Sequence, residues 1–188
     1  LAGVSHDLRT PLTRMKLQLS LMKDDAAKKE LENDIKEMTA MLNSYVSFVK
    51  GETTETIENI KLNDLIRKIC LSNKSEKIKI TDTYNQNVDT SGRPLQLKRA
   101  IQNIIDNSKR YSSKIHIELN SNEEECSISV SDNGPGIPEK NYEDVFKPFF
   151  TLDPSRNKLK GESGLGMTIA RDIIRSHGGD IKLSKSTM

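Results

Sequence analysis

The sequence predicts two structural parts, a helical hairpin followed by a two-layer α+β sandwich. Over the first fifty residues, apolar side chains recur at alternating steps of four and three, which is the spacing of a helix seam. The stretch 50–59 is polar and rich in Gly and Thr, as is typical of a linker. Beyond it, helical segments are mixed with segments that alternate with period two. The predicted boundaries are 1–52 for the hairpin, 53–58 for the linker and 59–188 for the second domain.

The hairpin carries one apolar seam on each of its two helices. The seam residues are Leu8, Leu12, Met15, Leu19 and Met22 on the first helix, and Leu31, Ile35, Met38, Leu42, Tyr45 and Val49 on the second. Two helices alone bury little apolar surface, so the seam predicts pairing with a second hairpin into a dimeric four-helix bundle. The alternative is a hairpin packed on its own domain.

The second domain is predicted to contain four or more strands and three helices. Asn63 is the expected N-cap of its first helix, and a Gly-Gly pair at 178–179 is expected to end the last one. The predicted elements are a strand feeding a helix over 57–71, a strand at 77–85, a helix at 94–111, a hairpin of 114–120 with 126–133, a loop over 138–163, a helix at 164–177 and the start of a strand at 180–186.

Composition restricts the class of protein. The formal net charge of +2 gives no reason to expect nucleic acid as a partner. No run approaches the roughly 18 apolar residues that a membrane-spanning helix needs. Cys70 and Cys126 lack metal-site spacing and are expected to be reduced thiols. The chain starts at Leu1 and stops inside an expected strand, so we expect a fragment whose missing parts include any membrane anchor.

The helix predicted at 94–111 carries a polar stripe. Asn103, Asn107 and Arg110 stand at i, i+4 and i+7, beside an apolar stripe that includes Ile101 and Ile105. An Asn carbonyl can ligate Mg²⁺, and an Arg can meet phosphate charge. The alternative is an ordinary solvated face.

Two glycine motifs follow this helix. In "SDNGPGIP", Asp132 stands at a strand end, where its carboxylate can accept from an exocyclic amine, and Gly134 and Gly136 allow close approach of a flat ligand. An ordinary Asn-Gly turn is the alternative.

The second motif, "GESGLGMTIA", places glycines just before a helix. Gly161, Gly164 and Gly166 lead into the helix start, where backbone N–H groups and the helix dipole can hold phosphate. The motif is neither a P-loop nor a dinucleotide fingerprint, because their further residues are absent. Glycine-rich loops before helices are also common without any ligand.

The order of these pieces resembles the ATP-binding domain of the GHKL proteins, in the branch of the histidine kinases, over about residues 90–180. "FKPFF" at 146–150 matches the box of the loop that covers the nucleotide, and it also suits a hydrophobic staple. "SHDLRTPLTRMKL" at 5–17 is similar to the dimerisation and phosphoacceptor helix of sensor histidine kinases of the osmosensing type. One departure is "RNKLKGES", which lacks a doubled glycine before Gly164.

The resemblance implies roles for the residues around the histidine. His6 is the expected nucleophile toward the γ-phosphate of ATP, since a neutral imidazole is nucleophilic near neutral pH. Asp7 would accept from the other ring N–H, and Arg9 would hold phosphate charge. Thr10 would orient water in a phosphatase reaction. Pro11 cannot donate a helical hydrogen bond, so we expect a bend beside the nucleophile.

The resemblance also implies the nucleotide site. Asn107 would ligate Mg²⁺, supported by Asn103, and Asp132 would contact the adenine amino group. The expected ATP-binding residues are Asn103, Asn107, Arg110, Tyr111, Asp132, Gly134, Gly136, Ile137, Phe146, Gly161, Gly164, Leu165 and Gly166. His116 and His177 are assigned no chemistry.

The function that the resemblance implies is autophosphorylation of His6 and transfer to an aspartate of a response regulator. A homodimer is expected, as the cytoplasmic portion of a bacterial inner-membrane protein that contacts the membrane only through segments outside this fragment. An ATPase of the same fold would carry a glutamate where Asn103 stands. A non-catalytic scaffold would be expected to lose His6 or Asn107. A member that acts mainly as a phosphatase through Thr10 stays open.

Overall fold

The structure is a computed structural model. In it, the chain forms two compact units. It describes residues 12–15, 17–19, 28–29, 31–36, 38–39, 55–73, 78–84, 86–122, 125–152 and 164–186. The first unit comprises residues 1–54 and 148–165, and the second comprises 55–147 and 166–188. Each unit is described by itself.

In the first unit, the described residues between 12 and 39 are helical and share a small apolar core. Leu12, Leu19 and Ile35 are buried together, which confirms that the two predicted seams face each other at these positions. The remaining described seam residues are exposed: Met15 by 43%, Leu31 by 42% and Met38 by 49%. A single hairpin therefore covers only part of its seam. The other predicted seam positions lie outside the described residues.

The second unit is built from five strands and three helices among its described residues. The strands are β1 (Glu58–Lys61), β2 (Lys79–Tyr84), β3 (Asp89–Gly92), β4 (Lys114–Ser121) and β5 (Cys126–Asp132), and the helices are α1 (Leu62–Ser72), α2 (Pro94–Tyr111) and α3 (Gly166–Ser176). The loop after β5 contains two short 3₁₀ turns, Glu139–Asn141 and Asp144–Phe146.

The strands form two sheets. β1 pairs antiparallel with β3, and the larger sheet has the order β2-β4-β5. β4 and β5 form the predicted antiparallel hairpin, with Ile117 opposite Val130. β2 runs parallel to β4, with Ile80 opposite Ile115. The short strand β3 was not predicted, because its sequence DTSG lacks apolar alternation.

The core lies between the helices and one face of the larger sheet. Ile115, Ile117 and Leu119 alternate along β4 and are fully buried, together with Ile66 of α1 and Ile105 of α2. Each such side chain contributes on the order of 1.5–3 kcal/mol relative to exposure. The inward-facing side chains of β4, which alternate along the strand, thus pack against the apolar stripes of the helices in one core layer. This confirms the predicted two-layer α+β sandwich.

Two helix ends follow the sequence signals. Pro94 lies in the first turn of α2, where a missing N–H costs nothing. After α3, Gly178 has a φ of 84°, and the N–H of Gly179 donates to the carbonyl of Ile174 at 3.0 Å. This left-handed glycine ends the helix as predicted.

The expected N-cap at Asn63 is wrong. α1 begins at Leu62 with Lys61 in the cap position and no side-chain cap. Asn63 is buried, and its amide donates to the Gln86 carbonyl at 2.9 Å and accepts from the Val88 N–H at 2.8 Å. Asn63 therefore holds the segment before β3, and this distant partner is invisible in the local sequence.

The expected strand at 180–186 is also wrong, because these residues do not pair with a neighbouring strand among the described residues. Ile181 and Leu183 are partly buried between more exposed neighbours, so the alternation of side chains is real. The Asp180 carboxylate accepts from the Ile181 N–H at 2.8 Å. Period-two burial predicts which side chains face inward, but it does not supply a strand partner.

No helix among the described residues combines the length and the apolar character that crossing a membrane requires.

Candidate active site

The polar stripe of α2 contains an unsatisfied amide. Asn103 and Asn107 are both partly buried. The Nδ2 atom of Asn103 is inaccessible to solvent and has no hydrogen-bond partner among the described residues. A buried donor without a partner costs about 1–3 kcal/mol, and a ligand that accepts a hydrogen bond from Nδ2 would remove this cost. Asn107 also makes no side-chain hydrogen bond within the described part of the chain, and Arg110 is exposed in the last turn.

The start of α3 lies beside this amide. A Cβ atom built on Gly166, the first residue of α3, would lie 3.9 Å from Cβ, Cγ and Oδ1 of Asn103. The first N–H groups of a helix have no partner within it and carry partial positive charge. The side chain of Asn103 and the anion-binding end of α3 therefore border the same space.

A second group of residues meets at the other end of α2. Asp132 is the last residue of β5, and its Oδ1 accepts from the Gly134 N–H at 2.9 Å. A Cβ on Gly134 would lie 2.8 Å from that oxygen and 3.2 Å from the carbonyl oxygen of Tyr111, so glycine is required there. Oδ2 of Asp132 forms no hydrogen bond within the described part of the chain and is available to a ligand. Tyr111 is 41% exposed beside it.

The turn after Asp132 is stabilised by a residue that sequence reasoning missed. Oδ1 of Asn133 accepts from the N–H groups of Ser113 at 3.0 Å and Lys114 at 2.9 Å. These bonds tie the end of β5 to the start of β4 and so fix the direction of the Asp132 side chain. An Asn in a turn that bonds nearby backbone is a known signal, and it was available in the sequence. Gly136 follows with a φ of 73°, and Ile137 is partly buried.

Phe146 is buried against α3. Its carbonyl accepts from Oγ1 of Thr168 at 2.9 Å, and the guanidinium of Arg171 lies 4.3 Å from the centre of its ring. Arg171 also pairs with Asp180, and hydrogen bonds from Arg171 and Arg175 hold the pKa of the Asp180 carboxyl well below its usual range. Neither Thr168 nor Arg171 was predicted, although their i, i+3 spacing places them on one face of α3.

Within the first unit, Gly164 pairs with Phe149. The Phe149 N–H donates to the Gly164 carbonyl at 3.1 Å. Gly164 has a φ of 60°, and a Cβ there would lie 2.9 Å from two backbone atoms of Phe149. Leu165 is buried. Only glycine fits this close backbone approach.

Two groups of predicted residues are thus brought together by α2. Asn103 meets Gly166 near its middle, and Tyr111 meets Asp132 and Gly134 at its end. Eight residues of helix separate Asn103 from Tyr111, or roughly 12 Å along the axis. The arrangement can hold a ligand with a flat, amine-bearing group at one end and anionic groups at the other.

Comparison with protein families decides between the possible ligands. A family model described as "Histidine kinase-, DNA gyrase B-, and HSP90-like ATPase" matches residues 92–187. A second model, "His Kinase A (phospho-acceptor) domain", matches residues 1–54. The chain belongs to the sensor histidine kinases. Its ATPase-type domain implies ATP binding, and Asn103, Tyr111, Asp132 and Gly166 lie within the matched residues.

Several curated sensor histidine kinases are similar over almost the whole chain. GtrS of Pseudomonas aeruginosa is 32% identical over 185 residues, covering 97% of this chain and 38% of that protein. CpxA of Escherichia coli is 30% identical over 200 residues, covering 100% and 44%. WalK of Bacillus subtilis is 29% identical over 201 residues, covering 96% and 33%. The chain spans less than half the length of these relatives.

Solved structures agree with the fold. The catalytic domain of histidine kinase ThkA matches with a TM-score of 0.60 at 26% identity, covering 68% of this chain and 87% of that domain. Full-length ShkA, solved in complex with AMPPNP, matches with a TM-score of 0.71 at 17% identity, covering 98% and 42%; it supports the fold alone.

In this kinase, part of the predicted machinery lies outside the described residues. His6, Asp7, Arg9 and Thr10 fall within the match to the phospho-acceptor domain, but the structure does not describe them. Gly161 also lies outside the described residues.

The described residues fit a nucleotide. The side chain of Asn103, with its orphaned Nδ2, lies beside Gly166, and the carboxylate of Asp132 and the backbone carbonyl of the exposed Tyr111 both border Gly134. The carbonyl oxygens of Asn103 and Asn107 are hard donors of the kind that Mg²⁺ takes.

Proposed function

We propose that this chain is the catalytic core of a two-component sensor kinase, which transfers the γ-phosphoryl group of ATP to His6 and then to an aspartate of a response regulator. The observation that carries the proposal is the side chain of Asn103, which has a buried, unpaired Nδ2 and lies beside the first residue of α3. Asn103 lies on the same helix as Tyr111, whose carbonyl borders Gly134 next to Asp132 of β5, so α2 runs along the length of the proposed nucleotide.

The base end of the nucleotide is assigned to Asp132 and its neighbours. The free Oδ2 of Asp132 accepts a hydrogen bond from the adenine amino group, while Oδ1 is fixed by Gly134. Tyr111 stacks near the ring, and the glycines at 134 and 136 let backbone lie close to it. A purine without an exocyclic amine leaves the carboxylate unpaired, which favours ATP over such analogues.

The phosphate end is assigned to α2 and α3. Asn107 supplies an oxygen ligand to Mg²⁺, which would neutralise phosphate charge when bound. Asn103 satisfies its buried Nδ2 by donating to a phosphate oxygen or to water. Arg110 contacts phosphate, and the first backbone N–H groups of α3, which begins at Gly166, bind it as well.

His6 is the proposed nucleophile. A neutral ring nitrogen forms the new P–N bond as the bond between the γ-phosphorus and the bridging oxygen breaks, and ADP leaves with that oxygen. Asp7 accepts a hydrogen bond from the other ring N–H and stabilises the positive charge that develops on the ring. Arg9 holds phosphate charge. In a separate phosphatase reaction, Thr10 orients a water molecule that takes the phosphoryl group from the aspartate of the regulator, which releases inorganic phosphate and the free carboxylate.

The hairpin is the proposed dimer interface and the docking site of the regulator. Met15, Leu31 and Met38 are seam residues that one hairpin leaves exposed, and a second copy would cover them in a four-helix bundle. The core is proposed to work on the cytoplasmic side of a bacterial inner membrane, as part of a longer sensor.

The test is labelling with γ-labelled ATP and Mg²⁺. The parent protein is compared with His6→Gln, Asn107→Asp and the control His116→Gln, whose ring bonds the hydroxyls of Thr81 and Thr83 away from the site. We expect acid-labile, alkali-stable label in the parent and the control, and none in the other two. His6→Gln should still bind ATP. Label that survives in His6→Gln, or its absence from the parent despite bound ATP, would overturn the transfer step.

A further inference from the structure

Arg171 is held in a crowded set of contacts on α3. Its side chain is only 12% exposed, whereas its partner Glu143 is 79% exposed. NH1 donates to Glu143 at 2.7 Å, and Nε and NH2 donate to the two oxygens of Asp180 at 2.8 and 3.2 Å. The face of the guanidinium lies over the Phe146 ring. A planar cation can use its edge and its face at the same time, and Lys cannot.

These contacts fix the short turn that carries Phe146. The turn Asp144–Phe146 is three residues long, and Phe146 is its buried member. α3 holds it at two points, through the bond of Thr168 to the Phe146 carbonyl and through Arg171 over the ring. Thr168 stands two residues after Gly166, which borders Asn103. The turn is therefore attached to the phosphate end of α3.

We propose that Arg171 is a positioning residue for nucleotide binding, acting by fixing the Phe146 turn on α3. The proposal rests on the function proposed above. Without the Arg171 side chain, the Phe146 turn becomes ordered only when ATP binds. The free-energy cost of this ordering is then subtracted from the binding free energy, so the affinity for ATP falls. Once ATP is bound the turn is in place, and the rate of transfer at saturating ATP is unchanged. The signature is a raised KM with an unchanged kcat.

Arg175 provides a matched control. It lies one turn further along α3 and also pairs with Asp180, at 3.1 Å, but among the described residues it bonds neither Phe146 nor Glu143. Its ion pair is exposed and screened, and such pairs contribute little. Arg171→Ala and Arg175→Ala therefore remove the same charge from the same helix, and they differ in the contact with the Phe146 turn.

The experiment measures Mg²⁺-ATP binding by calorimetry and the rate of His6 labelling as a function of ATP concentration. We expect Arg171→Ala to weaken binding about tenfold and Arg175→Ala less than about twofold. Arg171→Lys keeps the charge and should still lose most of the effect, because the stacked plane is lost. Equal losses in the two alanine variants, or a fall in kcat without a change in KM, would overturn the proposal.

A double-mutant cycle guards against a general folding defect. Arg171→Ala and Phe146→Leu are combined, and ATP affinity is measured for all four proteins. We expect the second substitution to add little to the first, since both loosen the same turn. Full additivity would overturn the proposal. Binding of ATP without any labelling overturns the proposed transfer, whereas labelling with equal effects of Arg171 and Arg175 overturns only the role of Arg171.

Discussion

Helix α2 carries polar side chains on two sides, and the two sides differ in their hydrogen bonding. On one side, Gln102 and Lys109 meet the buried Asn73 at the end of α1, at distances of 2.8 to 3.0 Å. Gln102 also donates to Asp106 at 2.9 Å. On the other side, Asn103 and Asn107 make no side-chain hydrogen bonds within the described residues. Adjacent amides on one helix are thus used in two ways. The side of α2 that carries Asn103 and Asn107 is the one proposed to bind nucleotide, and it differs from the other side in hydrogen bonding and not in polarity.

The largest expected effect is on function at the unpaired side. Asn103→Ala removes the buried donor that a ligand is proposed to complete, and we expect ATP-dependent labelling to fall by about 100-fold. Without nucleotide, the free energy of unfolding should rise, by up to about 1–3 kcal/mol, because the substitution removes a buried donor without a partner and no protein hydrogen bond is lost. Labelling kinetics and chemical denaturation of the same sample measure both. A loss of stability of several kcal/mol with normal labelling would reverse the assignment of the two sides.

The next effect is on stability at the paired side. Asn73→Ala leaves the amide of Gln102 and the ammonium of Lys109 without their shared partner, and we expect a loss of about 2–4 kcal/mol. The KM for ATP should stay within about twofold of the parent value, since no contact with the pocket is removed. Urea denaturation gives the first quantity, and Asn59→Ala, at an exposed position on β1, is the control. An unchanged unfolding midpoint would show that the network contributes no net stability.

The smallest effect is expected at the start of the same helix. The Glu55 carboxylate accepts from the backbone N–H groups of Leu95 at 2.6 Å and Gln96 at 3.1 Å. It therefore caps α2 from 40 residues away in sequence. Glu55→Ala should cost about 1 kcal/mol of stability, and Glu55→Gln about half of that, because the amide oxygen still accepts while the charge is lost. Thermal unfolding at low salt measures the difference. Equal effects of the two substitutions would exclude a contribution from the charge.

The sequence was sufficient for elements whose signals are local. The hairpin of β4 and β5, the start of α2 at Pro94 and the end of α3 at Gly178 all follow from alternation, proline and glycine. The stripe of Asn103 and Asn107 was also visible from helical spacing. What failed depends on partners far along the chain. The true bonds of Asn63, the pairing of β1 with the short strand β3 and the segment 180–186, which is not a strand, belong to this group.

The binding side could be located in the sequence but not distinguished from its structural neighbour. Gln102 and Asn103 are adjacent amides with similar surroundings in sequence. Asn73, 29 residues before Gln102, lies where it bonds the Gln102 amide, and it does not bond the amide of Asn103. The role of Arg171 was not predicted because its partners are also distant in sequence: Glu143 and Asp180 lie 28 and 9 residues away.

The larger sheet contains one parallel and one antiparallel pair of strands, and this difference affects the order of folding. β5 reaches β4 through a tight turn, with Ser121 opposite Cys126, whereas β2 pairs in parallel with a strand that begins 35 residues after it, Lys79 opposite Lys114. Closing the longer loop costs more chain entropy, and that loop contains α2. We therefore expect the β4–β5 hairpin to form early and β2 to join only after α2 is in place. In that order, the helix that spans the proposed nucleotide site is assembled before the sheet is complete.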